Sequence, residues 1–407
     1  MRSTARQRRS KTRVALALAA TLALTTPTHA HAQGADHGGV HCQKLTQRAE
    51  FTSGGRQVPY TLVGELCATS HRLRQARSGR STVQVLIHGS TYNHTYWDFG
   101  TVNGEHYSYA RRAAAAGFPT FAFDKVGFGA SSHPDSSLLT IPVAGDVTHH
   151  VVQGLRDGSL AGVRFGKVIS VGHSWGSVTA WREAIDHRDV DGVIVTGLIH
   201  SDSVNDDLPQ YSHRALDDPK YRGTHLDPGY ATTSPGSRGR LFHNPADADP
   251  DVIAADDNNT PATDQDFHTE VGKDLDPGGE QDGYAMLFSE ETRAIRVPVL
   301  VVMGSADRLL CGPSTQGGNF DCSSGAAIAR QEAAHYAPQA RLTACSVPGA
   351  GHSIALSRHH GIQDAAAAAW SFSMIGQNGR LRRTPLPAAC GAAVAPSPLR
   401  GLPPVLR

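Results

Sequence analysis

Three residues, far apart in this 407-residue chain, have the types and settings for hydrolysis through a covalent intermediate. Gly172-His173-Ser174-Trp175-Gly176 lies where a β-branched run, "KVISV", hands over to a helical-looking one, "SVTAWREAID". A strand that turns abruptly into a helix forces the residue at the bend into a strained backbone conformation, and its neighbours two residues away must lack side chains. The glycines therefore let Ser174 stand exposed as a nucleophile, and the helix N-terminus beneath it favours negative charge. A serine hydroxyl attacks only with a base at hand. His352, in the loop "PGAGHS" after a strand-like run, is the expected base, and Asp307, at the end of "VLVVMGSAD", the expected orienting acid. The chain order Ser, Asp, His is the one expected when three loops converge at one edge of a sheet. Asp202, after "VTGLIHS", is a rival acid, because a residue following the preceding strand can reach the same imidazole. Asp124 and Asp98 are read as fixing loops.

The same chemistry needs donors for a developing oxyanion. "VLIHGS" places His88 and Gly89 at the end of an earlier strand, so the backbone N–H of Ser90 can turn toward the serine. With the N–H of Trp175 it forms the expected oxyanion hole. His88 itself is read as a satisfied core histidine that shapes this loop. No cofactor and no metal are expected. "DADPD" (247–251) lacks the glycine and closing glutamate of a calcium loop, and the His pairs 149–150 and 359–360 have no partnered ligand spacing and read as surface. No dinucleotide fingerprint or Walker motif is present.

Positioning such residues requires a particular framework. The runs 81–87, 119–123, 167–171, 191–197, 297–304 and 341–347 are short, Val- and Ile-rich and bounded by Gly or Pro, as buried strands are. Helix-like segments alternate with them, which predicts an α/β fold around a doubly wound, mostly parallel sheet. Residues 56–67 add an antiparallel edge strand or hairpin. One interval breaks the alternation: Ser201 to Glu290 carries 19 acidic residues against six basic ones. It is too long for a plain connection and predicts an inserted cap with structure of its own. Its aromatics, Tyr211, Tyr221, Tyr230, Phe242, Phe267, Tyr284 and Phe288, are expected to pack the cap, with a few lining the roof of a pocket. The expected organisation is core over 33–200, cap over 201–290, core over 291–378 and a Pro-rich tail over 379–407, poorly ordered beyond Cys390.

The N-terminal 32 residues read as a secretory signal peptide: a basic start, the short apolar run "VALALAATLAL", and Ala30-x-Ala32 at the end. Its removal takes away six positive charges and moves the net charge from +1 to −5, which gives no footprint for nucleic acid or an anionic membrane. With no other long apolar run, a soluble extracellular product without stable membrane insertion is expected. Six cysteines suit an oxidising compartment. Of the possible pairings, Cys42–Cys67, Cys311–Cys322 and Cys345–Cys390 are favoured, chiefly because the first two pairs are near neighbours. The second would hold the surroundings of Asp307 rigid.

Taken jointly, "HG" at 88–89, "DKVGFGAS" at 124–131, "GHSWG" at 172–176, "GSAD" at 304–307 and "GAGH" at 349–352 resemble the α/β-hydrolase superfamily, in its secreted esterase/lipase-like branch. The resemblance covers roughly residues 56–376, with the cap after the sixth strand. Val126 departs from it, since the family's loop often has Arg there. The resemblance implies hydrolysis through an acyl-enzyme on Ser174, His352 and Asp307 but gives no substrate, because this fold hosts many reactions; a small molecule with a carboxylic ester is the expected one. Alternatives that keep the triad are C–C bond, lactone or amide hydrolysis, or perhydrolysis; a non-catalytic binding protein on the same scaffold is a third. Epoxide-hydrolase and dehalogenase chemistry would call for a nucleophilic Asp where Ser174 stands.

Overall fold

The computed structural model describes residues 39–204, 211–258, 264–265, 283–315 and 317–392. The expected signal peptide, Phe267 and the chain beyond 392 lie outside them, as does the side chain of Tyr284. A nine-stranded sheet forms the centre, in the order β1-β2-β4-β3-β5-β6-β7-β8-β9. These strands are β1 (Val40–Ser53), β2 (Arg56–Thr69), β3 (Thr82–Ile87), β4 (Thr120–Phe123), β5 (Lys167–His173), β6 (Gly192–Thr196), β7 (Val299–Gly304), β8 (Thr343–Val347) and β9 (Cys390–Ala392). The six runs read as buried strands are β3 to β8, and they pair in parallel. Every residue of β3, β4, β6, β7 and β8 is buried, as strands covered on both faces require. Residues 56–69 form a hairpin with β1 at one edge, and β9 adds an antiparallel strand at the other, so part of the C-terminal stretch read as a tail belongs to the sheet.

The helices cover both faces. α2 (Ile141–Asp157), α3 (Trp175–Asp186) and α6 (Gly325–Glu332) supply Val147, Val151, Val178, Trp181 and Ile328 to one core layer. α1 (Tyr109–Ala116) and α7 (His360–Trp370) supply Tyr109, Ala110, Ala366 and Trp370 to the other. Local sequence sets their ends: Ser108 and Thr140 cap α1 and α2 by accepting from Arg111 N and Val143 N, and left-handed Gly117 and Gly158 close them. Between β6 and β7 the described residues include a small antiparallel sheet (Ser212–Arg214, Tyr230–Thr233, Asp264–Gln265) and two helices, α4 (Ser237–Leu241) and α5 (Pro250–Asn258). Among the described residues no helix is long and apolar enough to cross a membrane.

All six cysteines are bridged in the favoured pairing. Cys42–Cys67 staples β1 to β2, Cys345–Cys390 ties β9 to β8, and Cys311–Cys322 closes a loop just after Asp307.

Candidate active site

The parallel register puts the carboxyl ends of the central strands side by side. Ile87 pairs with Gly172, His173 with Thr196, and Gly304 with Val347. Segments leaving these ends therefore meet at one edge of the sheet, and Ser90, Ser174, Asp307 and His352 all lie on such segments.

Ser174 has φ 50° and ψ −124°, a backbone state that a residue with a side chain adopts only under strain. The surroundings hold it there: Ser174 N donates to Thr196 O at 2.8 Å and Ser174 O accepts from Ser177 N at 2.7 Å. A Cβ on Gly172 would lie 2.4 Å from Ser177 Cα, and one on Gly176 would lie 2.3 Å from Ile87 O. Both glycines of the motif are thus demanded by backbone packed against backbone. Ser174 precedes the first turn of α3, whose N-terminal dipole favours an anion at this point.

His352 and Asp307 are joined as the sequence anticipated. His352 Nδ1 lies 2.9 Å from Asp307 Oδ2, and both side chains are buried. The other carboxylate oxygen, Oδ1, accepts from Leu309 N at 2.8 Å and Leu310 N at 3.3 Å, which fixes the carboxylate plane. Asp307 O in turn accepts from Cys311 N, so the disulfide loop is tied to the acid's own backbone. His352 Nε2, the nitrogen left to face a nucleophile, is buried and has no hydrogen-bond partner among the described residues. Asp202, the rival acid, turns elsewhere: its carboxylate accepts from Ser314 Oγ at 3.1 Å, Thr315 N at 3.2 Å and Thr315 Oγ1.

Ser174, His352, Ser90, Trp175 and Asp202 line one cavity of about 190 Å³, whose other walls include Leu198, Tyr211, Phe242, Leu287, Leu309 and Leu310. Of the aromatics between β6 and β7, Tyr211 and Phe242 line this cavity, Tyr221 and Tyr230 are core residues, and Phe288 is partly exposed.

His88 is buried, and its Nε2 accepts from Lys125 N at 3.0 Å. Its Nδ1 therefore carries the hydrogen and donates to Gly89 O at 2.8 Å. Burial, with Lys125 adding to it, pushes the imidazole down to about 3, so it is neutral. Because a trans peptide holds C=O and N–H on opposite sides, anchoring Gly89 O to His88 sends the Ser90 N–H the other way. His173, inside the nucleophile motif, is also buried and stacks on Tyr96 with ring centroids 4.1 Å apart. Burial and then the neighbouring His352 hold it well below the usual histidine range, so it adds no charge against a proton on His352. Asp124 and Asp98 do fix loops: Asp124 accepts from His94 N, His94 Nδ1 and Ala130 N, and Asp98 pairs with Arg111. Val126, where the resemblance led one to expect Arg, is a buried core residue.

A buried ionic cluster behind the site went unread in the sequence. Asp256 of α5 accepts from Tyr92 Oη at 2.8 Å and pairs with Arg238 of α4 at 3.2 Å and with His243 at 2.8 Å. Tyr92 Oη also meets Ser353 Oγ at 2.7 Å, and Arg238 donates to Thr91 O. The cluster thus grips the residues just after Ser90 and just after His352. Thr91 is itself left-handed, at φ 62°, and its Oγ1 meets Tyr211 Oη at 2.6 Å. Burial alone would raise the Asp256 carboxyl, but Arg238 and then His243 hold it below its ordinary range. The only hint in the sequence was that Arg238 is one of few cations in an acidic stretch. Arg238→Met is expected to cost about 3–5 kcal/mol, because it takes from a buried carboxylate its guanidinium partner and leaves it only His243 and Tyr92, and adding Asp256→Asn should restore most of that. Urea denaturation of the three variants checks it; an undiminished Arg238→Met would contradict it.

Residues 84–365 match the sequence model of the Alpha/beta hydrolase family. The chain is 30% identical over 128 residues to epoxide hydrolase 3 of Xenopus tropicalis, a match spanning 31% of this chain and 30% of that protein. Among solved structures, a putative aryl esterase from Burkholderia cenocepacia is similar over 81% of this chain and 100% of its own, with TM-score 0.52 and 14% identity. A thermophilic esterase from Thermogutta terrifontis is similar over 78% of this chain and 96% of its own, with TM-score 0.48 and 17% identity. At 14% identity, the likeness to the Burkholderia structure speaks for the fold alone.

Proposed function

This chain belongs to the alpha/beta hydrolase family, and we propose that it is a secreted serine hydrolase that cleaves carboxylic esters through an acyl-enzyme. The observation that carries the reading is a strained serine sharing one cavity with a buried, aspartate-paired histidine. Ser174 Oγ attacks the ester carbonyl while His352 Nε2 takes its proton, and Asp307 holds the imidazole and stabilises its charge. The amides of Ser90 and Trp175 hold the oxyanion. His352 then gives the proton to the departing alcohol, and a water activated by the same nitrogen releases the acid. The basic-then-apolar N-terminus and the three disulfides support export to an oxidising compartment.

Epoxide opening, suggested by the Xenopus relative's name, is disfavoured by Ser174. A carboxylate attacking an epoxide gives an ester that water can cleave, whereas a serine alkoxide would give an ether that it cannot. The cavity also bears on the substrate. A space of about 190 Å³ is on the scale that holds a benzene-sized group, about six carbons. A panel of p-nitrophenyl esters, lactones and styrene oxide tests both points. Acyl chains up to about six carbons are expected to be cleaved at least about tenfold more efficiently than a palmitoyl chain, with no epoxide opened. Epoxide turnover without ester turnover would reject the proposal; an equal rate for palmitate would reject the size argument.

A further inference from the structure

At the far end of α3 a second group of residues converges. Ser174 precedes the first residue of α3 and Glu183 lies nine residues on, roughly 13 Å along the axis, away from the cavity. Glu183 is fully buried, and its carboxyl meets no donor among the described residues other than the facing Asp189 carboxyl, whose own Oδ2 accepts from Gln153 Nε2 at 2.5 Å. A ring nitrogen of His149, on α2, and one carboxylate oxygen each of Glu183 and Asp189 lie within 4.8 Å of one another. His149 Nδ1 already meets Asp189 Oδ2 at 2.8 Å. The nearby cation Arg156 is engaged with Asp191 and the Asp189 carbonyl.

A buried carboxylate facing a half-buried one is unfavourable unless a proton or a cation lies between them. A shared proton would satisfy one oxygen of each and needs no imidazole. A metal ion uses all three groups, and the half-buried His149 and Asp189 leave a solvent-facing side where water can complete the shell. We infer that Glu183, Asp189 and His149 bind one divalent transition-metal ion, zinc being the ion best suited to one imidazole and two carboxylates. Tetrahedral zinc wants its ligand atoms roughly 3.4 Å apart, so the three side chains need shift by only about an ångström. The ion would pin α2, α3 and the turn into β6 together, apart from the hydrolytic site. The sequence around His149 holds no such spacing, because its partners lie 34 and 40 residues downstream.

The test is calorimetric titration of the full chain, stripped with EDTA, with ZnCl2 at about pH 7.5 and with CaCl2 as the control. Wild type is expected to bind one zinc with a Kd of about 1 µM or tighter and to melt a few degrees higher with it. Glu183→Gln and the more exposed His149→Ala are each expected to weaken that binding at least about tenfold while ester hydrolysis persists. If wild type binds no zinc, or if His149→Ala binds it as well as wild type does, the site is a proton-sharing carboxyl pair and the inference falls.

Discussion

Ser174→Ala is expected to lower kcat toward p-nitrophenyl butyrate by roughly 10⁴- to 10⁶-fold, the range seen when the nucleophile of such a triad is removed. The loss is large because the other serine and threonine hydroxyls lining the cavity, those of Ser90, Ser203 and Thr315, lack the strained strand-to-helix setting of Ser174. Stability should hardly change. Ser174 Oγ makes no hydrogen bond to a described residue, and alanine meets the same backbone strain that serine already bears. A melting curve alongside the turnover assay separates lost chemistry from lost fold. Turnover close to wild type in a folded variant would remove Ser174 from the mechanism.

The second large effect concerns the acid. Asp307→Asn is expected to reduce kcat by roughly 10³- to 10⁴-fold. An amide N–H turned toward His352 Nδ1 would force the imidazole into the tautomer with its hydrogen on Nε2, which then cannot accept the serine's proton. Asp202→Asn should change kcat by no more than about threefold, since that carboxylate is spent on Ser314 and Thr315. As a wall of the cavity, Asp202 can move KM instead. Steady-state kinetics of the two variants side by side decide the matter, and the reverse ranking would assign the acid's role to the earlier strand.

Much of this site was legible because its signals are local. Gly172 and Gly176 are needed by contacts made within one strand–turn–helix unit and its neighbouring strand, so five consecutive residues announced Ser174. The alternation of apolar runs with helical segments announced the sheet, whose register then brings the loop residues to one edge. The disulfide pairs were legible for a similar reason: two of the three close short loops.

Other features follow no local rule. Which of Asp307 and Asp202 meets His352 depends on where the loop after each strand carries its carboxylate, and sequence alone could rank the two but not place them. The Arg238–Asp256 cluster joins α4 and α5 to residues about 150 positions earlier and 100 later. Glu183 lies in the helical-looking run after Ser174 with nothing in its spacing to mark it, and only the packing of α2 against α3 buries it beside Asp189 and His149. The sequence by itself determined the strained serine, the parallel framework and the cysteine pairs, since these depend on backbone sterics and periodicity among near neighbours. Tertiary structure alone decided which charges meet and which are buried, because a side chain's partner across a long loop depends on the path of that loop, and no spacing records it.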